Sequence, residues 1–196
     1  MDATSATRRG EQMMATAVLT ADQPPTPSLL PAPVDTLAFP SDPAPEVDPK
    51  VFVLATTFGS KGQLAALLEV APAVVEQMEK DRQIFGFMSR SKRYRVYGLY
   101  QALPEVAGRP LATVLAHFFK AMDSGQTWMQ ERHIGSFFRA PNNMLAWATP
   151  LEVLLGHRLY EAPIEREAAW LYRQDADIRL RAVLGAAHDE LMHRRA

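Results

Sequence analysis

Residues 63–79 read QLAALLEVAPAVVEQME. Leu64, Leu67 and Leu68 recur at helical spacing. The pattern breaks at Glu69-Val70-Ala71 and resumes with Val74, Val75 and Met78. Pro72 sits at the start of the second run, where a helix has no use for its missing N–H. The stretch therefore predicts two short helices joined by a tight turn.

Working outward, the same period continues in both directions. Phe52, Leu54, Ala55 and Phe58 predict a preceding helix closed by Gly59. Tyr94, Tyr97, Leu99 and Tyr100 lead to Pro104, and Leu111, Val114, Leu115, Phe118 and Phe119 form a strong helical stripe after Arg109-Pro110. Met129, His133, Ile134, Phe137 and Phe138 make another, stopped by Ala140-Pro141. Thr149-Pro150 begins a helix through Leu151, Leu154 and Leu155 to Gly156, with the threonine as cap. A last long helix is expected over about 164–193. No stretch alternates convincingly between apolar and polar residues, so the fold class expected is all-α.

Charge and proline divide the chain. Residues 1–49 hold Arg8 and Arg9 against seven carboxylates, a net −5, and nine of the 15 prolines. Proline removes a donor and biases its neighbour to extended backbone, so residues 23–49 are expected to be a solvated, disordered, polyproline-like arm. That arm is either a linker or a carrier of short hooks at Leu29-Leu30 and Leu37-Ala38-Phe39. Arg8-Arg9 before MMATAVLTA resembles a signal peptide, but the apolar run is short and Glu11 interrupts it. The expectation is a cytoplasmic protein with no membrane segment, with Met13 or Met14 as alternative starts.

The total net charge of −1 conceals one basic patch. Residues 50–88 are neutral and 110–196 are neutral, whereas 89–109 carry +4. Arg90, Lys92, Arg93 and Arg95 supply most of it, with Tyr94 among them. Such a run is either an ordinary solvated helix start or a phosphate clamp.

Two resemblances attach to these residues. Ala65, Val70 and Val75 stand where the Xre-type repressor helix-turn-helix places a small crossing residue, a turn plug and a β-branched anchor. Glu69 replaces that family's turn glycine, and Ala71 its capping serine. The second helix would offer Gln77 and Lys80 to DNA, flanked by Glu76 and Glu79. Downstream, Phe137-Phe138, Pro141-Asn142, Leu145 and Thr149-Pro150-Leu151-Glu152-Val153-Leu154 resemble the toxin-binding domain of the Xre/MbcA/ParS antitoxins. Ala146-Trp147-Ala148 fills the place of that family's glycines, and about 40 residues follow Gly156.

The resemblance implies a homodimeric antitoxin that binds and neutralises a RES-type toxin and represses its own promoter. The implied organisation is an arm over 1–49, a helix-turn-helix module over 50–95, an antitoxin-like domain over 96–160 and a C-terminal amphipathic helix over 161–196. The DNA-binding set is Gln77, Lys80, Arg90, Lys92, Arg93, Tyr94 and Arg95; the partner-binding set is Phe138, Pro141, Asn142, Met144 and Trp147. A large aromatic in a loop, as at Trp147, is either tucked onto the core or held out to a partner.

Chemistry is sparse. There is no cysteine, so thiol nucleophiles and Cys-based zinc sites are excluded. No Gly-rich phosphate loop, nucleophile elbow or apolar-framed carboxylate pair occurs, and the five histidines do not pair at metal spacing. The chain is read as a non-enzyme without cofactors. The alternative to a DNA-binding antitoxin is a helical adaptor, or a DNA-associated protein, whose helix-turn-helix serves only packing.

Overall fold

The computed structural model describes residues 47–89, 91, 93–125, 129–160 and 165–193. Asp48 caps α1 (Pro49–Thr56), which leads through β1 (Phe58–Gly59) to α2 (Lys61–Leu67) and α3 (Pro72–Lys80). Then come β2 (Phe87–Met88) and β3 (Arg95–Gly98), which runs straight into a 3-10 turn (Leu99–Ala102). The remaining helices are α4 (Arg109–Asp123), α5 (Glu131–Arg139), α6 (Pro150–Leu155), α7 (Arg166–Tyr172) and α8 (Ala176–His193). A second 3-10 turn (Asn143–Leu145) lies between α5 and α6.

The all-α expectation needs correction: the fold is mostly helical but holds a small three-stranded antiparallel sheet, ordered β1-β3-β2. Phe58 pairs with Gly98, Gly59 with Tyr97, Phe87 with Val96 and Met88 with Arg95. Strands of two to four residues are too short to display a period of two, so no alternation marks them. Phe58, expected to extend the first helix, turns out to lie in β1, and Tyr97 lies in β3. The boundary expected at 95/96 falls inside β3, so the segments on either side share this sheet.

Where the sequence carries capping signals, the helices start on them. Ser60 and Gln63 form a reciprocal box at the head of α2, with Gln63 Oε1 accepting from Ser60 N–H at 2.8 Å. Thr149 and Glu152 form another at α6. Between α2 and α3 the turn takes Glu69 through a left-handed conformation, φ 55°. Ala65 and Val75 are buried, Val70 is half-buried, and Val70 N–H donates to the Ala65 carbonyl. This is the helix pair expected from residues 63–79.

One core runs through the described residues, from Ala55 in α1 to Leu191 in α8. Tyr100, Phe85, Phe118 and Phe138 are its largest fully buried side chains. Gln101 is buried among them without cost, because its amide closes the backbone of Phe85 on both sides, at 2.9 Å each, and reaches Gly98 O. The expected single C-terminal helix is two. Gly156, left-handed at φ 74°, ends α6. Arg179 donates to the carbonyls of Tyr172 and Gln174, holding the break between α7 and α8. Among the described residues no helix is long and apolar enough to cross a membrane.

Candidate functional site

The loop from Asn142 to Ala148 is closed by its own backbone. Asn142 N–H donates to Ala148 O at 3.1 Å, and Asn142 O accepts from Leu145 and Trp147 at 3.0 and 2.9 Å. The Asn142 side chain caps the 3-10 turn through Met144 N–H at 2.9 Å, as the Pro-Asn sequence predicts. Leu145 plugs the loop into the core. Ala146 and Trp147 are then both left-handed, at φ 49° and 61°. Left-handed backbone costs an L-residue about 1–2 kcal/mol, so two in succession persist only because the closed ring of hydrogen bonds over-determines them.

The consequence is outward display. Trp147 is 62% exposed and Met144 57% exposed, with Pro141 also exposed and Asn142 half-buried. Phe138 does not belong with them. It is fully buried, 5.6 Å from Tyr100 and 6.2 Å from Phe85 between ring centroids, so it supports the corner and offers no contact surface. Apolar spacing alone does not distinguish a core phenylalanine from a displayed one.

Beneath the loop, the Thr149–Glu152 box is buried. Glu152 Oε2 accepts from Thr149 N–H and Oγ1–H at 2.8 and 2.9 Å, and Oε1 accepts from Leu159 N–H at 2.9 Å. Burial, and then the Glu152 carboxylate, push the nearby Tyr172 phenol well above its ordinary range.

The basic run behaves differently from expectation. Arg90 and Lys92 lie outside the described residues. Arg93 and Tyr94 are exposed, Tyr94 by 61%. Arg95, expected as a phosphate clamp, is drawn inward. Its Nη2 donates to Glu79 Oε1 at 2.6 Å, to Glu131 Oε1 at 2.8 Å and to Gly86 O at 2.5 Å, while Nε donates to Glu79 Oε1 at 2.9 Å. Tyr97 Oη–H donates to the other Glu79 oxygen at 2.8 Å. Partial burial alone would lower the Arg95 pKa, but the hydrogen bonds it donates to Glu131 and Glu79 outweigh that and raise it. Burial, then Glu79, push Tyr97 up to about 12.

This hub ties the end of α3 to β3 and to the first turn of α5. Nothing local in the sequence marks it, because its hydrogen-bonded partners are 9 to 36 positions apart. It also changes the electrostatics of α3. Glu79 is turned inward, and Glu76 is paired with Lys61, whose hydrogen bond lowers its pKa. The outer face of α3 then presents Pro72, Ala73, Val74, Gln77 and Lys80, together with the Lys61-paired Glu76, which is itself exposed. Gln77 Nε2 donates to Asp81 Oδ1 at 2.9 Å.

A second region that the sequence does not disclose is a cleft of about 280 Å³ against the loop, walled by Trp147, Arg158, Tyr160, Glu165 and Tyr172. Its residues come from the loop after α6 and from α7, which only the tertiary fold brings to Trp147. Among the described residues no three His, Asp or Glu side chains converge as a metal-binding set. No family model, no curated protein and no solved structure matches this chain.

Proposed function

We propose that the chain is an antitoxin-like regulator. It binds and neutralises a partner toxin, of the RES class by resemblance, through the 141–148 loop. It represses its own promoter through α3 and the neighbouring basic run. The observation that carries the partner half is Trp147, an exposed indole on a backbone strained at two successive non-glycine residues. A loop locked before binding loses little ordering entropy on association. Aromatic anchors held out in this way dominate protein interfaces, and Met144 beside it adds adaptable apolar surface.

The DNA half is supported by charge. With Glu76 and Glu79 paired, α3 repels phosphate less than its formal composition suggests. Arg95 takes no part, so phosphate contact falls to Lys80, Arg93, Arg90 and Lys92, with Gln77 as a base reader once released from Asp81.

The partner test is co-expression with a RES-class toxin in growing cells. The parent chain restores growth and co-purifies with the toxin; Trp147→Ala retains the helical circular dichroism spectrum but fails in both. Neutralisation by Trp147→Ala at the parent level would sink the reading. For DNA, the parent shifts promoter DNA at ~50 mM salt, and the Lys80→Ala/Arg93→Ala double variant reduces the salt slope by about 2. No shift at that salt leaves the helical adaptor, with α2 and α3 as a packing unit.

A further inference from the structure

The cleft beside Trp147 has the composition of a cation site. Its volume of about 280 Å³ falls below the roughly 300–1,000 Å³ that holds a whole small-molecule ligand, and suits one side chain of a partner instead. Trp147, Tyr160 and Tyr172 line it, and Trp147 and Tyr160 are exposed. An aromatic face carries the negative lobe of the ring quadrupole and attracts a cation set against it.

Charge in the cleft points the same way. Among the described residues its ionic members are two carboxylates, Glu152 and Glu165, against one guanidinium, Arg158. Both Glu152 oxygens accept hydrogen bonds within the corner, which leaves the negative charge in place. At the Tyr172 phenol, once burial is set apart, Glu152 acts more strongly than Arg158, so the field there is that of an anion. Arg158 has its Nη2 buried, whereas Glu165 is exposed. An acidic guest would therefore meet like charge, and a basic one finds both rings and a carboxylate. Guanidinium fits this set better than ammonium, because its plane stacks on an aromatic face while its edge donates two parallel hydrogen bonds to one carboxylate.

We propose that the cleft takes an arginine side chain of a protein partner, its guanidinium laid against Trp147 and Tyr160 and its edge turned to Glu165. The inference rests on the partner reading of the 141–148 loop, and adds to it the chemistry of the residue that the partner inserts.

The test uses the full chain and no partner. The probe is N-acetyl-arginine methylamide, titrated to ~50 mM at constant ionic strength so that screening does not change. The signal is the nitrogen-15 NMR shift of the Trp147 indole N–H, assigned by its loss in Trp147→Phe. A saturable shift is expected, with a Kd on the order of 10 mM, as suits one stacked ion pair. The citrulline analogue has the same shape without the charge, and binds at least about fivefold more weakly. Glu165→Gln weakens the arginine probe about threefold, and Arg158→Gln, which removes the competing cation, tightens it about threefold. Equal binding of the arginine and citrulline probes overturns the proposal. So does the absence of a saturable shift, or weaker binding by Arg158→Gln.

This inference and the reading beneath it fail separately. If Trp147→Ala still neutralises the toxin while the arginine probe binds, the toxin reading falls and the arginine site stands. If Trp147→Ala abolishes neutralisation while the probe gives no shift, the loop meets its partner through other chemistry and the arginine site falls.

Discussion

Ala146 offers the sharpest test of the strained loop. Its φ of 49° is left-handed, and its methyl is half-buried against the core. Replacing it with glycine removes a backbone penalty of about 1–2 kcal/mol. Glycine's wider unfolded ensemble takes back about 0.5–1 kcal/mol, and losing a half-buried methyl takes back about 0.4 kcal/mol more. The expected net at the middle of these ranges is a gain of about 0.4 kcal/mol. Ala182, equally half-buried but inside α8, is the control. There the same change costs about 1 kcal/mol, because glycine weakens a helix interior. The two variants should therefore differ by about 1.5 kcal/mol with opposite signs. The assay is urea unfolding followed by circular dichroism, with equal m-values as the check that only stability changed. In a fold of this size that separation also amounts to roughly 3–6 °C in melting temperature. Equal destabilisation by Ala146→Gly and Ala182→Gly would show that the loop stores no strain, and the argument for a pre-set Trp147 would fall with it.

The Arg95 hub makes the next prediction. Glu79→Gln should cost about 2 kcal/mol, between the value of an exposed ion pair and that of a fully buried one; a loss under about 0.5 kcal/mol in urea titrations would mean the hub is ornamental. Tyr97 titrates at about 12 in the folded state against an ordinary 10. The unfolded chain thus loses its proton first, and this contribution is intact below pH 10 and is lost as pH rises toward 12. Tyr97→Phe should flatten the fall in unfolding free energy, read from urea titrations, over that window by up to about 1.4 kcal/mol per pH unit, leaving the part due to Tyr100 and Tyr172, whose pKa values burial also raises. An unchanged slope would contradict it. At Gly156 a methyl group would meet both a left-handed backbone and the Arg179 guanidinium. Gly156→Ala should then cost about 2 kcal/mol or more, read as a lowered thermal midpoint, and a neutral result would deny that this glycine holds the turn out of α6.

What the sequence determined by itself is local. Proline at first-turn positions, the Thr149 cap, the Pro-Asn turn and the spacing of Leu64, Leu67 and Leu68 act over five residues or fewer, so α2, α3, α6 and the 142–148 loop were legible. The apolar stripe of α4 was legible too, because fifteen residues sample the helical period several times. The sheet was not, since two-residue strands exist only through partners elsewhere in the chain. The break between α7 and α8 depends on Arg179 reaching back to two carbonyls, which periodicity does not register.

The site divides along the same line. That residues 141–148 form an outward corner follows from Pro141, Asn142 and Leu145. Whether Trp147 is tucked in or held out was open, and Phe138 was expected at the contact surface; tertiary packing decided both, burying Phe138 between Phe85 and Tyr100 and leaving Trp147 exposed. Charge shows the difference most clearly. Four cations within residues 90–95 read as one patch, yet Arg95 is half-buried between two carboxylates from distant helices. Sequence fixes the number of charges; only the three-dimensional arrangement of their partners decides which remain free to meet a ligand, because Coulomb attraction and desolvation depend on distances that sequence separation does not encode.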